Sequence, residues 1–230
     1  MVPVTVHRIF LEEPEYITHR LALCLSPDEQ ARAERFRFER DRRSYTVARA
    51  AMRQILAAAL GLPAAAVAFR YGPHGKPQLA DPGLDLQFNL SHSGSWALCA
   101  VVRGRAVGVD IEYMRTIREF EALANRFYSP RESALLKQMP EAQRPAAFYR
   151  AWTSKEAYVK ALGAGLTLDT RVVDVRLRPD EPAGLLAVRG DSAEAARWSL
   201  TALTPPAPGY AAALCVEGAD AIVRVADWEP

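Results

Sequence analysis

The feature that most constrains the fold is a pattern that occurs twice along the chain. Ser26-Pro27-Asp28-Glu29 has the residues of a helix-capping box with proline at the first helical position, and Ser129-Pro130-Arg131-Glu132 repeats it 103 residues later. Each box precedes a long segment of helical character that ends at a glycine, Gly61 or Gly163. Strand-like runs follow both glycines. Because these parts recur in the same order, the sequence predicts two related α+β halves joined near residues 103–105.

The composition is that of a globular chain with a substantial core. Of its 230 residues, 50% are hydrophobic and 24% charged, and the net charge of +2 gives no global field that would attract nucleic acid. Cys24, Cys99 and Cys215 are widely spaced in apolar surroundings, which indicates reduced cysteines and no zinc site. No signal peptide is visible, and the most apolar stretch, residues 55–69, is too short to span a membrane. We therefore expect a cytoplasmic protein without a nucleic-acid or membrane partner.

Three acidic side chains are candidates for a metal site. Residues 107–112 alternate with period 2, which predicts a strand that places Asp110 and Glu112 on one face. Residues 152–162 predict a helix on which Trp152, Glu156 and Lys160 stack at i, i+4 and i+8. Such carboxylates are ligands that Mg²⁺ accepts while it keeps water molecules for a phosphate. Taken singly, the two motifs have simpler explanations, namely a solvated strand face and a surface salt bridge.

Basic and hydroxyl side chains suggest that the substrate carries phosphates. Eight arginines lie within residues 32–53. They could form a solvated helix face, a surface for nucleic acid or a phosphate pocket. The nucleic-acid interpretation is less favoured because no wider basic field accompanies these arginines. Gly75-Lys76-Pro77 adds a cation on a flexible loop, and His92 between Ser91 and Ser93 could cradle an anion. The segments at residues 75–77 and 91–93 are each typical of an ordinary turn when taken alone.

Together the two sets of residues require a metal ion. Two negative charges 4 Å apart repel by about 4 kcal/mol at an effective dielectric constant of 20, so carboxylates alone would exclude a pyrophosphate. A bound Mg²⁺ reverses the sign of this interaction and clamps the phosphoryl oxygens during an in-line displacement. The sequence therefore predicts metal-dependent chemistry on a phosphate.

Five motifs, in their order and spacing, resemble the Sfp-type 4′-phosphopantetheinyl transferases. They are residues 36–41, 75–77, 89–93, 108–112 and 152–160, so the likeness covers nearly the whole chain. The resemblance implies an α+β fold of two similar halves related by a pseudo-twofold axis. Residues 1–104 would contact the phosphates and adenosine of coenzyme A, and residues 105–230 would carry the metal and catalytic carboxylates. It also implies Mg²⁺ or Mn²⁺, and transfer of the phosphopantetheine arm to a serine of an acyl- or peptidyl-carrier protein, with release of adenosine 3′,5′-bisphosphate. A monomer acting in secondary metabolism is expected.

The resemblance also implies a role for each matching residue. Asp110, Glu112 and Glu156 match the metal ligands of the family, and Glu156 also matches the general base that acts on the carrier serine. Lys160, with Lys155, would face the pyrophosphate and stabilise charge in the transition state. The remaining matches would contact coenzyme A; they are Arg32, Arg43, Gly75, Lys76, Ser91 and His92. Some family members carry histidine at the position of Arg43, and Arg35 or Arg42 could substitute for Arg32 or Arg43.

One apolar segment and two other functions remain open at this point. Apolar residues at helical spacing after the predicted strand would either pack into the core or form a patch for a helix of the carrier; they are Ile117, Phe120, Leu123, Ala124 and Phe127. A Mg²⁺-dependent phosphohydrolase would use the same carboxylates without a carrier surface. A regulatory module that binds coenzyme A without catalysis is less favoured, since all three carboxylates and Lys160 are present.

Overall fold

A computed structural model describes residues 3–230, apart from the side chain of Leu166, and these residues form two units whose elements follow the same order, except for one additional short helix in the second. The first unit consists of β1 (Val4–Phe10), α1 (Glu15–Ala22), α2 (Pro27–Glu34), α3 (Glu39–Leu60), β2 (Phe69–Tyr71), β3 (Pro77–Leu79), β4 (Leu86–Ser93) and β5 (Trp96–Arg103). The second consists of β6 (Val107–Tyr113), α4 (Phe120–Phe127), α5 (Pro130–Gln138), α6 (Arg144–Leu162), β7 (Val173–Val175), β8 (Leu185–Val188), α7 (Ser192–Ala196), β9 (Trp198–Ala202) and β10 (Tyr210–Glu217). A last strand, β11 (Val223–Asp227), follows.

The two main sheets have matching topology. The strands β1, β5 and β4 lie side by side and antiparallel in the first sheet, as β6, β10 and β9 do in the second. Each unit also has a small hairpin, β2–β3 or β7–β8. The predicted α+β fold class is therefore confirmed. The division at residues 104 and 105 stays a prediction, and β11 departs from it, because this strand pairs in parallel with β1 in the sheet of the first unit.

Capping residues explain where the helices begin and end. Both predicted capping boxes are present, so that α2 begins after Ser26 and α5 after Ser129. Gly61 and Gly163 end α3 and α6 in the left-handed conformation, with φ of 69° and 68°, which glycine adopts at no steric cost. The sequence therefore contains the starts of α2 and α5 and the ends of α3 and α6, the two longest helices.

A buried ion pair holds the helices of the first unit together. Glu29, the acidic residue of the first capping box, is paired with Arg49 and Arg53 of α3, and all three side chains are almost fully buried. Arg53 also donates to the backbone carbonyls of Ala64 (3.0 Å) and Val67 (2.8 Å), in the segment after the helix. One cation therefore joins the capping box, the long helix and the chain that follows it.

Lys155 occupies in the second unit the place that Arg53 occupies in the first. The expectation that Lys155 faces the pyrophosphate is therefore wrong. Its fully buried ammonium lies 2.6 Å from Glu132 of the second capping box. It also donates to the carbonyls of Thr170 (2.8 Å) and Val173 (2.5 Å), again in the segment after the long helix. Its hydrogen-bonding capacity is thereby used inside the core, and burial lowers the pKa of Lys155.

An apolar core lies between the two sheets. Residues from β1 and β5 of the first sheet pack there against residues from β6 and β10 of the second; among them are Val4, Val6, Leu98, Ala100, Val107, Val109, Ile111 and Leu214. The opposite faces of the sheets pack on the helices of their own unit. No helix within the described residues has both the length and the apolarity needed to cross a lipid bilayer.

Candidate active site

The site is built around β6, whose outer backbone edge is held by side chains of the first unit. This strand lies at the edge of its sheet, so half of its backbone groups need partners other than a neighbouring strand. The backbone N–H of Val109 donates to the side-chain oxygen of Asn89 (2.9 Å), and that of Tyr113 donates to the hydroxyl of Ser93 (3.0 Å). The position of the candidate carboxylates therefore depends on contacts across the seam between the units.

Asp110 lies at the centre of a hydrogen-bond network at this seam. Its Oδ1 accepts from the Ser91 hydroxyl (2.9 Å) and from the Lys160 ammonium (2.6 Å), and Lys160 also donates to Ser91 (2.8 Å). Asp110 is only 2% exposed, and its Oδ2 is buried without a hydrogen-bond partner in the described structure. Burial raises the pKa of Asp110 to about 6, against the opposing effect of the Lys160 charge.

The other two carboxylates lie close to this network. Both oxygens of Glu112 accept hydrogen bonds, one from Ser93 (2.9 Å) and one from the indole N–H of Trp152 (3.3 Å). Glu156 is half-buried and makes no side-chain hydrogen bond within the described part of the chain. Burial raises the pKa of Glu156; the charge of Lys160 opposes this change and that of Glu112 adds to it. Asp110 and Glu156 therefore both interact electrostatically with Lys160 and with Glu112.

A glycine allows strand and helix to approach closely enough to form the site. A Cβ atom at Gly108 would lie 2.1 Å from the carbonyl oxygen of Ala157 and 2.3 Å from the amide nitrogen of Ala161. These are backbone atoms that cannot move aside, so only glycine permits this contact between β6 and α6. The contact brings Asp110 to the same turns of α6 that carry Glu156 and Lys160.

The donor set fits a hard divalent cation, although the three ligands are not yet assembled. No group of three or more His, Cys, Asp or Glu side chains among residues 3–230, as far as they are described, is arranged to hold a metal ion. The Lys160 ammonium is the cation beside Asp110 in this arrangement. The unpartnered Oδ2 of Asp110 is the type of oxygen that a bound ion would satisfy. A site with Asp110, Glu112 and Glu156 as ligands therefore needs a side-chain movement from these positions.

Two of the residues expected to bind coenzyme A lie in the seam with their polar atoms already engaged. Ser91 is buried in the network around Asp110 and Lys160. The Lys76 ammonium binds three backbone carbonyls of the second unit, and burial lowers the pKa of Lys76 to about 8. The expectation that the Lys76 side chain contacts coenzyme A therefore needs correction, since its charge is directed to the protein backbone.

The other expected contacts of coenzyme A are more open. His92 at the end of β4 is exposed; desolvation lowers its pKa, as does the nearby charge of Lys160, while Glu112 acts in the opposite direction. Gly75, with φ of 78°, lies in the exposed loop before β3. These two positions can accept a ligand without breaking a recorded side-chain contact.

The structure does not bring Arg32 and Arg43 into the network around Asp110. Arg32 is exposed and lies 5.7 Å from the ring centre of Tyr45. Arg43 donates to the backbone carbonyl of Glu13 (3.2 Å) and lines a cleft of about 410 Å³ between α1, α2 and α3. Their contacts with phosphates remain predictions.

Asn89, Ser93 and Trp152 orient the strand and Glu112, a role that the sequence did not predict for them. Ser93 was expected only as a hydroxyl beside His92 in an anion cradle. A signal was present, because Asn89, Ser91 and Ser93 are polar residues at alternate positions of one strand and must therefore share a face. Trp152 is one turn before Glu156 on the same face of α6. Polar side chains on the face that meets another unit are candidates for orienting its groups.

The apolar segment after β6 has a mixed character. Ala124 is fully buried in the core of the second unit, whereas Ile117, Phe120, Leu123 and Phe127 pack against that core and stay partly exposed. Ile117 and Phe120 also line an open cleft of about 1180 Å³, together with Arg115, Arg118 and Arg144. The core interpretation is therefore right for Ala124, and the other four positions combine packing with an accessible surface.

Known proteins are similar to this chain in sequence along most of its length. The model of the 4′-phosphopantetheinyl transferase superfamily matches residues 106–215, and the model of the 4′-phosphopantetheinyl transferase N-terminal region matches residues 13–103. The chain is 44% identical over 204 residues to the 4′-phosphopantetheinyl transferase HetI of Nostoc sp., covering 88% of this chain and 83% of that protein. It is 35% identical over 164 residues to a 4′-phosphopantetheinyl transferase of Bacillus subtilis, covering 70% of each.

Among solved structures, a holo-(acyl-carrier-protein) synthase from Bacillus anthracis is a distant match, with 19% identity and a TM-score of 0.40, covering 49% of this chain and 96% of that one. By the two family models and its identity to HetI, the chain belongs to the 4′-phosphopantetheinyl transferase superfamily.

Proposed function

We propose that the protein transfers the 4′-phosphopantetheine arm of coenzyme A to a serine of an acyl- or peptidyl-carrier protein and releases adenosine 3′,5′-bisphosphate. The observation that carries this proposal is the network of Asp110, Ser91 and Lys160 at the seam, with Glu112 and Glu156 beside it. It combines acidic, hydroxyl and ammonium groups in one place, in a chain whose relatives are named as 4′-phosphopantetheinyl transferases.

The carboxylates would hold Mg²⁺ or Mn²⁺ through Asp110, Glu112 and Glu156. When bound, the ion neutralises the charge of the pyrophosphate and stabilises the transferring phosphoryl group. The buried Oδ2 of Asp110, which lacks a partner in the described structure, supports this assignment. Lys160 is 30% exposed at its side chain, so it can leave Asp110 and donate to an oxygen of the pyrophosphate.

Glu156 is suited to act as the general base. The hydroxyl oxygen of the carrier serine attacks the phosphorus next to the pantetheine arm, the bond from that phosphorus to adenosine 3′,5′-bisphosphate breaks, and the serine proton passes to Glu156. No recorded hydrogen bond occupies the oxygens of Glu156 in the described residues, so its lone pairs are available to the serine. Lys160, four residues later on α6, is close enough to balance the charge of the leaving group.

The two units would divide the substrates between them. Residues 1–104 would bind the phosphates and adenosine of coenzyme A, with His92, the loop at Gly75, and Arg32 and Arg43 as contacts. The carrier would dock over the cleft of the second unit, where Ile117 and Phe120 provide an apolar floor and arginines provide charge. A monomer is proposed because one chain supplies both sides of the seam. A cytoplasmic location and a role in secondary metabolism are proposed on the family resemblance alone.

The proposal is tested by incubating an apo carrier protein with the enzyme, coenzyme A and Mg²⁺, followed by mass spectrometry of the carrier. A gain of one phosphopantetheine group, about 340 Da from its covalent formula, is expected. Asp110→Ala and Glu156→Ala should each lower the transfer rate by at least about two orders of magnitude, or about 2.7 kcal/mol. Asp180→Ala, which removes an exposed carboxylate, is the matched control.

Three outcomes would contradict the proposal. Near-normal transfer by Asp110→Ala or Glu156→Ala would remove the assigned roles. Cleavage of coenzyme A without an acceptor would identify a phosphohydrolase. An unmodified carrier, with coenzyme A bound and intact, would identify a binding module without catalysis.

A further inference from the structure

Lys76 joins the two units by a contact that a phosphate ligand would not make. Its ammonium donates to the backbone carbonyls of Val107 (3.1 Å), Lys160 (2.6 Å) and Ala161 (3.2 Å). Lys76 lies on the loop before β3 in the first unit, whereas its three acceptors lie in the second, at the start of β6 and in the last turn of α6. One side chain therefore fixes the strand of the carboxylates and the helix of Glu156 relative to each other.

The end of α6 is a place where a cation is needed. The last four carbonyls of an α-helix have no partner within the helix, and the helix dipole favours positive charge there. The N–H of Gly163 donates to the carbonyl of Lys160 (3.2 Å), and Lys76 supplies a second donor to the same oxygen as well as a donor to the next one. The residue whose carbonyl is bound in this way is the one whose side chain reaches Asp110.

The loop of Lys76 also fits the end of the helix by shape. A Cβ atom at Gly165 would lie 2.8 Å from Cβ of His74, and a Cβ at Gly163 would lie 3.4 Å from Cδ of Lys76. The distance at Gly165 is too short for a real Cβ atom, so this glycine leaves space that the loop occupies, whereas the distance at Gly163 is an ordinary van der Waals contact. The loop therefore packs on the end of α6 through His74 as well as through Lys76.

The residue type agrees with this role. The chain has only four lysines among 29 basic residues, yet lysine stands at the position where three carbonyls meet one nitrogen atom. An ammonium group has three donors on a single atom, whereas the donors of a guanidinium lie in a plane on three separate atoms. Arginine would keep the charge here but could not satisfy three convergent oxygens from one atom.

We propose that Lys76 is a positioning residue that clamps the loop of the first unit onto the last turn of α6 and so fixes the backbone of Lys160 beside the strand that carries Asp110. The proposal rests on the proposed function for its effect on catalysis, but not for its effect on the helix. It predicts that loss of the Lys76 ammonium loosens residues 159–164 and lowers the rate of transfer, with little effect on the affinity for coenzyme A.

The test compares Lys76→Met and Lys76→Arg with Lys160→Met and with Lys137→Met, which removes an exposed ammonium outside the seam. Hydrogen exchange of the free protein, calorimetric binding of coenzyme A and steady-state transfer are measured for each. In Lys76→Met, exchange of amides 159–164 should rise and kcat should fall about 10- to 100-fold, as expected for the loss of hydrogen bonds to a charged group. The Kd of coenzyme A should change less than about threefold. Lys137→Met should behave as wild type.

Lys76→Arg keeps the charge and serves as the second variant if Lys76→Met folds poorly. It should show raised exchange at residues 159–164 and a lowered kcat; wild-type values for both would overturn the proposal. The proposal is also overturned if Lys76→Met weakens coenzyme A binding as much as Lys160→Met does while exchange is unchanged, since Lys76 would then be a phosphate ligand. If the wild-type protein transfers nothing, the proposed function fails, and exchange alone still decides whether Lys76 clamps the helix.

Discussion

Lys155 and Lys160 lie on the same helix within one sequence motif, but we predict that replacing Lys155 mainly lowers stability and replacing Lys160 mainly lowers transfer. Lys155 is fully buried, with its ammonium 2.6 Å from an oxygen of Glu132. Lys160 has a side chain that is 30% exposed and reaches into the site. Lys155→Met should therefore reduce stability without a specific loss of substrate binding, whereas Lys160→Met should reduce transfer, with a smaller loss of stability because its own side chain is partly solvated.

The magnitude for Lys155→Met follows from the groups that the change leaves behind. Glu132 would keep its hydrogen bonds from the backbone N–H groups of Ser129 (2.9 Å) and Val175 (2.8 Å) but would lose its only recorded ion pair within the described chain. Removing one partner of a buried pair costs about 3–5 kcal/mol. For a chain of this size, about 1 kcal/mol lowers Tm by about 2–4 °C, so we expect a decrease of about 6–20 °C.

Thermal and urea unfolding of the wild type, Lys155→Met, Lys160→Met and the double variant Lys155→Met/Glu132→Gln would measure these effects. The double variant should recover part of the stability, because it leaves no unpaired charge in the core. Lys137→Met controls for removal of a lysine charge at the surface. The reasoning is refuted if Lys155→Met keeps the wild-type Tm and loses affinity for coenzyme A, since Lys155 would then face the substrate.

Two further predictions concern the first unit and the carrier surface. Burial acts to raise the pKa of Glu29, but the charge of Arg49 and hydrogen bonds such as that from Arg53 bring it below 4.5; its contribution to stability is therefore complete above pH 4.5 and is lost as the pH falls through the folded pKa. Glu29→Gln should flatten the pH dependence of urea unfolding below about pH 4.5, and an unchanged slope would contradict this. Ile117→Ala should raise the carrier KM about fivefold by loss of apolar contact and leave the Kd of coenzyme A unchanged; a matching loss in the free energy of unfolding instead would identify Ile117 as a core residue.

Helical geometry explains why the sequence predicted Glu156 and Lys160 correctly as neighbours but placed Lys155 wrongly. At 3.6 residues per turn, positions four apart are separated by about 40° around the axis and positions five apart by about 140°. Glu156 and Lys160 therefore share a face, and Lys155 must point away from it. The repeated capping boxes contained the same information, since Lys155 stands in the second unit where Arg53 stands in the first.

Contacts that depend on tertiary structure could not be predicted in this way. The loop of Lys76 reaches α6 from 84 positions away in the chain, and no local pattern marks the three carbonyls that it binds. The pairing of β11 with β1 likewise joins residues more than two hundred positions apart, as in the contact of Arg8 with Asp227 (2.7 Å). Local patterns predict elements and their faces, whereas the partners of a distant loop or strand follow from the packing of the whole chain.

The pairing of β11 also explains why two similar units form one site. β1 and β6 are equivalent strands, since each is followed by three helices and pairs antiparallel with the last strand of its unit, β5 or β10. When β5 and β10 are aligned from their first residues, the residues of β1 that correspond to Asp110 and Glu112 are His7 and Ile9. The outer edge of β1 is closed by β11, whereas the outer edge of β6 meets the side chains of Asn89 and Ser93.

The residue of the first unit that is equivalent to Glu156 is uncharged. Gln54, which follows Arg53 as Glu156 follows Lys155, accepts a hydrogen bond from the indole N–H of Trp228, just after β11 (3.2 Å). The first unit thus has no carboxylate at the three equivalent positions, and β11 covers the edge of β1 that corresponds to the outer edge of β6. Its hydroxyl and amide side chains instead orient β6 and Glu112, so the position of the carboxylates in the second unit depends on contacts from the first.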